Sequence, residues 1–309
     1  MVADLPSDAR ERRILLAGAS GMIGIPLRRS LVEAGHVVHT LVRRAPEGPS
    51  EHQWDPDAGT IDSGIIDHID VVINLSGASI GKIPWTKRHK NLIMSSRVNA
   101  TRTLATAITQ AANTPSLLIQ GSAVGFYGDR GDEELTEFSP RGPGFLADVV
   151  EAWEAEAQVA SSQKTRVCFA RTGLVVGRGG ALAPLALQTR LGVGGNIGSG
   201  AQWWPWISLH DEVRALSYLV THDTDQTLFN LVGPTPATAT DLTKELARAL
   251  RRPHLLGLPS LAIKALMGEA GEELLLSSQR VINQRLDIIG FRFDDVTIAD
   301  AIARMLGRR

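Results

Sequence analysis

Apolar residues along the chain fall into short, dense runs separated by polar breaks. Residues 14–17, 37–42, 70–75, 116–121 and 166–171 are rich in Val, Ile and Leu, and each reads as a buried strand. Ile23, Leu27, Leu31 and Val32 recur at helical spacing, and Gly35 stops the helix they predict. Longer helices are predicted at about 86–112 and 145–160. Residues 45–64 and 125–144, dense in glycine, proline and charge, read as loops. Strands that alternate with helices predict right-handed βαβ units and an α/β fold with a doubly wound parallel sheet. The regularity weakens after about residue 178. Five glycines between 192 and 200 read as a flexible loop, followed by Trp203, Trp204 and Trp206 around Pro205. From Asp211 the pattern is mostly helical, with one strand at 228–232 and several short helices over 259–306.

The junction of the first strand and helix carries the strongest chemical signal. Gly18-Ala-Ser-Gly-Met-Ile-Gly24 sits between them with the spacing Gly-x-x-Gly-x-x-Gly. Gly18, Gly21 and Gly24 divide three tasks: a tight turn, close approach of backbone to a pyrophosphate, and packing of helix on strand. The residues between, Ser20, Met22 and Ile23, then place N–H groups at the positive end of the helix dipole, where phosphates bind. A glycine triplet alone is weak, because turns use glycine for structural reasons; its placement after a strand and before an amphipathic helix makes it a dinucleotide fingerprint. The end of the second strand selects the dinucleotide. An acidic residue there binds the ribose of NAD, whereas this chain has Arg43 and Arg44, whose guanidinium forks suit the 2′-phosphate of NADP(H). The fold expected is of Rossmann type over residues 1–175. Residues 176–309 form a smaller, mainly helical substrate lobe and C-terminal helical segment, with the chain crossing between lobes.

Composition narrows the partners. Thirty-two basic and 33 acidic side chains nearly cancel in 309 residues, so neither nucleic acid nor an anionic membrane is expected. No run reaches the ~18 apolar residues of a membrane span. Residues 1–13 are polar and charged, so no signal peptide is expected and the cytoplasm is the default location. The single cysteine, Cys168, lies in an apolar run and reads as a buried, inert thiol. No His, Cys or carboxylate cluster has metal-ligand spacing, so no metal is expected.

These residues resemble the extended short-chain dehydrogenases/reductases, and more closely a subgroup labelled "epimerase family protein". The likeness is carried by Val72-Ile-Asn-Leu-Ser-Gly-Ala78, Ser96-Arg97-Val98, Gly121-Ser-Ala-Val-Gly-Phe-Tyr-Gly128, Arg171-Thr-Gly-Leu-Val-Val-Gly177, Leu191-Gly-Val-Gly-Gly195 and Gly198-Ser-Gly-Ala-Gln-Trp203. The stretch from Leu274 to Arg285 resembles the subgroup's appended C-terminal domain. The resemblance implies that Leu75, Ser76 and Gly77 line the adenosine side of the cleft and that Leu174 lies near the nicotinamide. Arg97 stands where extended relatives have an asparagine; it either reaches the cofactor phosphates or shapes the edge of the active site. A homodimer through the helices flanking that site is a further implication.

The same resemblance exposes a catalytic gap. The superfamily uses a tyrosine, a lysine four residues later and a serine. Ser122 fits the serine, but the corresponding helix begins Phe145-Leu-Ala-Asp-Val149, with no phenol and no ammonium. Of the two tyrosines, Tyr218 reads as core. Tyr127 follows Ser122 in the same loop and is either an acid–base residue or a packing and orienting one. Asp148 and Glu151 offer carboxylates at the start of the same helix, or face solvent. Asp211 is expected to cap the following helix and His210 to be structural. The three tryptophans either wall a substrate pocket or brace the two lobes. Two functions fit. One is an NADP(H)-binding oxidoreductase or epimerase-like enzyme acting by hydride transfer on a carbonyl or alcohol of a small molecule. The other is a non-catalytic NADP(H)-binding sensor or scaffold. Sugar epimerases of the superfamily hold NAD and use the dyad, and both features are altered here.

Overall fold

A computed structural model describes residues 10–180 and 182–308. Residues 1–9, part of the stretch read above for a signal peptide, lie outside the described residues. Eight strands form the central sheet: β1 (Arg13–Ala17), β2 (Val37–Val42), β3 (Glu51–Asp55), β4 (Thr60–Ile61), β5 (Val71–Asn74), β6 (Leu117–Ala123), β7 (Arg166–Thr172) and β8 (Leu228–Leu231). Their order is β8-β7-β6-β5-β1-β2-β3-β4, parallel throughout except for the β3–β4 edge. The mixed α/β architecture with a mostly parallel sheet is the one the apolar runs predict. Strand β1 is followed by β2 on one side and flanked by β5 on the other. The strand order therefore reverses between β1 and β5, and a crevice opens at their carboxyl ends.

The sheet is covered on both faces, which is why its inner strands are apolar at consecutive positions. Ile14 and Leu16 of β1 point to one face, where Leu27 and Leu31 of α1 (Gly24–Glu33) pack with Leu216 and Leu219 of a later helix. Leu15 and Ala17 point to the other face, toward Ala100, Leu104 and Ile108 of α2 (Lys87–Gln110) and Ala157 of α3 (Phe145–Gln158). Cys168 of β7 is fully buried, as its apolar setting predicts. Residues 45–64, expected as loop, contain β3 and β4 instead. Only Trp54 of β3 is buried, and its neighbours Glu51, His52 and Gln53 are polar. An edge strand with one core residue leaves no alternating pattern to read.

Beyond residue 175 the chain crosses back to the sheet. Helix α4 (Leu209–Thr221) packs beside α1, with Ser217 and Ser30 hydroxyls 3.3 Å apart, and β8 follows it. Trp204 and Trp206 join helices Leu182–Arg190, Ala239–Leu250 and Ile298–Met305 in a separate apolar cluster. Leu286 and Phe291 return to the core beside Phe229 and Leu231 of β8. No helix among the described residues is long and apolar enough to cross a membrane.

Candidate cofactor cleft and reaction site

The glycine turn lies at the crevice between β1 and β5. Gly18 has φ +83°, and a Cβ on it would stand 2.7 Å from the carbonyl of Leu75, so the turn presses against the end of β5. A Cβ on Gly24 would fall 2.2 Å from the Gly18 carbonyl oxygen, which shows how closely the helix follows the turn. The turn is held by Gly21 N–H to Gly18 O, 3.0 Å. No side chain caps α1: Ile23 is its N-cap residue and has nothing to offer. Ile25 N–H bonds Gly21 O at 3.1 Å and Pro26 has no N–H, so the donors that face an anion are those entering the helix, at Met22, Ile23 and Gly24, which fits a dinucleotide pyrophosphate. Met22 packs under Gly179 and Gly180, so the segment after residue 177 covers the turn. Ser20 and Gly21 are exposed.

The two arginines after β2 are not equivalent. Arg44 donates both Nη atoms to Glu51 at 2.7 and 2.8 Å and one also to the Ala45 carbonyl. Arg43 is exposed and makes no hydrogen bond or ion pair among the described residues. At the end of β5, Leu75 N–H bonds Ala17 O at 2.9 Å and Ser76 N–H bonds the Asn74 side chain at 3.1 Å. Gly77 follows, directly beneath Arg97 of α2, whose Nη1 donates to Ala78 O and Ile93 O. Burial pushes the Arg97 guanidinium down to about 10. Leu174 lies further along, in the strand Leu174–Val176, its N–H bonded to Pro205 O.

On the opposite side of the crevice a row of polar residues crosses three strands. Ser122 of β6, Arg171 of β7 and Asn230 of β8 are register partners, all buried. Glu154 of α3 closes the row from above. Its carboxylate accepts from Ser122 Oγ at 2.6 Å and from Arg171 Nε and Nη2, both at 2.8 Å. Arg171 Nη1 donates to Tyr127 Oη at 3.1 Å, and Tyr127 donates to Asn230 Oδ1 at 2.7 Å. Tyr127 is fully buried, and that burial pushes its phenol above the ordinary range although Arg171 pulls the other way. The fork of Arg171 compensates the charge of the Glu154 carboxylate, so the network can be buried without an orphaned ion. Glu154, Arg171 and Asn230 carried no role in the sequence reading. Their signal was a charged or amide residue closing an otherwise apolar strand or helix face.

The positions of the missing dyad are also resolved. Val149 is buried, and Phe145 packs edge-on against Trp85, with Lys90 Nζ 4.2 Å from its ring centroid. The N-terminus of α3 is capped by the distant Glu273, which accepts from the N–H groups of Phe145 and Leu146 at 2.7 and 2.8 Å. Asp148 and Glu151 are exposed and meet Arg141. The cap of α4 is Ser208, whose Oγ accepts from Asp211 N–H at 3.0 Å, not Asp211 as the sequence suggested. Asp211 instead accepts from the N–H groups of Asp294 and Asp295 and pairs with Arg214. Folding brings Asp294 to His210 as well, at 2.7 Å, a cluster that spacing along the chain could not reveal. Arg214 joins the cluster, with Nη1 2.7 Å from Asp211 Oδ1 and 3.5 Å from Asp294 Oδ1. The indole N–H groups of Trp203, Trp204 and Trp206 bond Asp132, Leu275 O and Thr235 O respectively, so the three tryptophans tie separate segments together.

Both the sequence and the fold have counterparts among known proteins. The family model described as NAD dependent epimerase/dehydratase matches residues 14–233. The chain belongs to that family. A second model, a domain of unknown function (DUF1731), matches residues 258–305. The family includes an "epimerase family protein" of Mycobacterium leprae, 38% identical over 96% of this chain and 96% of its own length. The Bacillus subtilis epimerase family protein YfhF is 33% identical, covering 96% of this chain and 98% of its own. Among solved structures, the human epimerase family protein SDR39U1 (isoform 2) with NADPH superposes with a TM-score of 0.87 at 30% identity, covering 96% of this chain and all of that one. The UDP-glucuronic acid 4-epimerase of Bacillus cereus shares the fold, with a TM-score of 0.77 at 16% identity over 96% and 98% of the two chains.

Proposed function

We propose that the protein is an NADP(H)-dependent oxidoreductase acting on an alcohol or carbonyl carbon of a small molecule. The observation that carries the reading is the Ser122–Glu154 hydrogen bond of 2.6 Å at the carboxyl end of β6, a hydroxyl–carboxylate pair where the family's usual dyad is replaced. When bound, the nicotinamide accepts or donates the hydride. Everything else falls to the chain. The backbone N–H groups entering α1, at Met22, Ile23 and Gly24, hold the pyrophosphate. Arg43, with no carboxylate of its own among the described residues, holds the 2′-phosphate, while Arg44 orders the loop through Glu51. Ser122 has its proton committed to Glu154, so its oxygen presents lone pairs to a substrate hydroxyl. In the oxidative direction the substrate proton passes to Ser122 as the serine proton passes to Glu154; the reductive direction reverses both transfers. Tyr127, with donor and acceptor both occupied, orients Arg171 rather than exchanging protons. The NADPH held by the SDR39U1 structure supports the choice of dinucleotide.

The test is turnover of NADPH across a panel of carbonyl compounds. Ser122→Ala and Glu154→Gln should each remove the activity and leave NADPH binding intact. Arg43→Ala should weaken NADPH by about tenfold, the worth of one charged hydrogen bond, and NADH far less. Equal losses for both dinucleotides would sink the 2′-phosphate assignment. Tight NADPH binding with no turnover on any compound would favour the second reading, a redox sensor or scaffold, which Phe145 and Val149 already make credible.

A further inference from the structure

Large apolar side chains stand exposed at sixteen positions among the described residues. Six of them, Leu187, Leu191, Val193, Leu255, Leu256 and Leu261, lie in two short segments, 182–197 and 246–261. Folding brings these segments together. The N–H groups of Leu255 and Leu256 bond Gly194 O at 3.1 and 3.2 Å, and Leu258 N–H bonds Asn196 O at 2.8 Å. The same segments hold Arg190, Arg248, Arg251 and Arg252 and no acidic residue, in a chain whose charges otherwise nearly cancel. Exposed apolar side chains gathered beside charge of one sign mark a binding surface.

Between the segments lies a cavity of about 250 Å³, lined by Leu185, Val193, Ile197, Leu256 and Leu258, with Thr189 and Thr243 in its wall. Both hydroxyls are committed within their own helices: Thr189 Oγ1 donates to Leu185 O and Thr243 Oγ1 to Ala239 O, each at 2.8 Å. Gln188 is the other polar side chain there, and it is exposed. The walls are therefore apolar. Such a space takes up apolar groups rather than water, and ~150 Å³ suffices for a benzene ring. At roughly 30 Å³ for each water-sized group, this cavity holds about eight. It is separate from the cofactor crevice. Gly179 and Gly180 cover the glycine turn and precede the helix Leu182–Arg190, whereas Thr189 lies at that helix's other end, roughly 10 Å further along. Arg190 follows directly. Arg251 and Arg252 come from the second segment, which His254 ties to the wall, its Nε2 3.0 Å from Thr243 Oγ1. Arg248 already meets Glu245. Arg190, Arg251 and Arg252 are exposed and pair with no carboxylate among the described residues, so they can meet an anion.

We propose that this cavity binds a free single-chain amphiphile, an alkyl chain of about eight carbons with an anionic head, the chain among the leucines and the head at Arg190, Arg251 and Arg252. A cavity takes one chain, whereas a bilayer docks on a face, so the ligand is monomeric. Calorimetric titration with straight-chain carboxylates tests it. Affinity should rise about fourfold per methylene from butanoate to octanoate, the effect of burying one methylene, and then level off because the cavity is full. Octan-1-ol has the same chain without the charge and should bind more weakly. Arg190→Gln, Arg251→Gln and Arg252→Gln combined should weaken octanoate about tenfold and leave octan-1-ol unchanged. Val193→Trp and Leu256→Trp, each at an exposed edge of the cavity, should fill it and abolish binding of both probes. The wild-type length series decides the matter whether or not a variant folds. Affinity that climbs unbroken to dodecanoate, or that both tryptophan variants leave intact, would overturn the cavity assignment. So would the absence of saturable octanoate binding, and a protein that then sediments with phosphatidylglycerol vesicles would have a membrane-docking face instead.

Discussion

Glu212 is the most strongly perturbed carboxyl in the molecule's interior. It is fully buried in the first turn of α4, accepts from Thr172 Oγ1 at 2.8 Å, and leaves Oε2 without a partner among the described residues. Desolvation pushes its pKa up to about 8, against 4.5 when unperturbed, with the Thr172 hydrogen bond opposing it. The folded state therefore keeps the proton that the unfolded chain releases above pH 4.5. Stability from this group is whole below that pH and is lost as pH rises through the folded value near 8. Moving a pKa by one pH unit takes about 1.4 kcal/mol, so ionising Glu212 in place costs on the order of a few kcal/mol. Glu212→Gln keeps an acceptor for Thr172 and has no proton to lose. Its urea denaturation midpoint should gain on the wild type between about pH 5 and pH 8, and parallel curves over that range would show that Glu212 does not titrate as a buried acid. Nothing in the sequence distinguished Glu212 from the charged residues around it. Burial is a property of the packed helix face, and the first turn of a helix is where an exposed glutamate is ordinarily found.

At the scale of elements, α3 shows how a helix can be legible while its termination is not. Its apolar face was plain from residues 145–160, but Gly144 has no side chain to cap it, and the cap arrives from Glu273, far along the chain. Burial holds the Glu273 carboxyl above its usual range, against the pull of the two N–H groups. Glu273→Ala leaves both N–H groups unsatisfied and should cost about 1–2 kcal/mol, read as a change in urea midpoint. Lys90→Met, which removes a part-exposed ion pair to Glu269, should cost about 1 kcal/mol or less. If the two variants cost the same, the cap contributes no more than the surface pair. The misassigned cap of α4 has a related cause. Ser208 and Asp211 are both capping types three residues apart; only the arrival of Asp294 and Asp295 assigns Asp211 another task.

For the whole molecule, the two family models meet the fold at different places from its core. The first ends at 233 and the second begins at 258, yet Leu286 and Phe291 sit in the same cluster as Phe229 and Leu231. Asn283 donates to Val232 O at 2.7 Å and Asn230 donates to Ile282 O at 2.9 Å, which stitches the last segment to β8. Deleting two buried apolar side chains alone costs about 2–5 kcal/mol each, against about 5–15 kcal/mol for a typical domain. A chain ending at residue 257 should therefore lack a cooperative thermal transition by circular dichroism, and the full chain should melt in one step. A truncated chain that melts cooperatively near the full-length temperature would mean that the C-terminal segment is an independent addition.

The glycine turn, the arginine pair after β2 and the alternation of buried strands with amphipathic helices could be read directly from the chain. Each depends on residues within a few positions of one another, where backbone geometry and periodicity leave a local signature. The row from Ser122 through Arg171 to Asn230, the closure of that row by Glu154, the capping of α3 by Glu273 and the engagement of Arg44, but not Arg43, by Glu51 arose only on folding. Their partners come from different strands and helices. What a polar side chain does there depends on which neighbour the sheet register and helix packing deliver, and a sequence records the side chain without the neighbour.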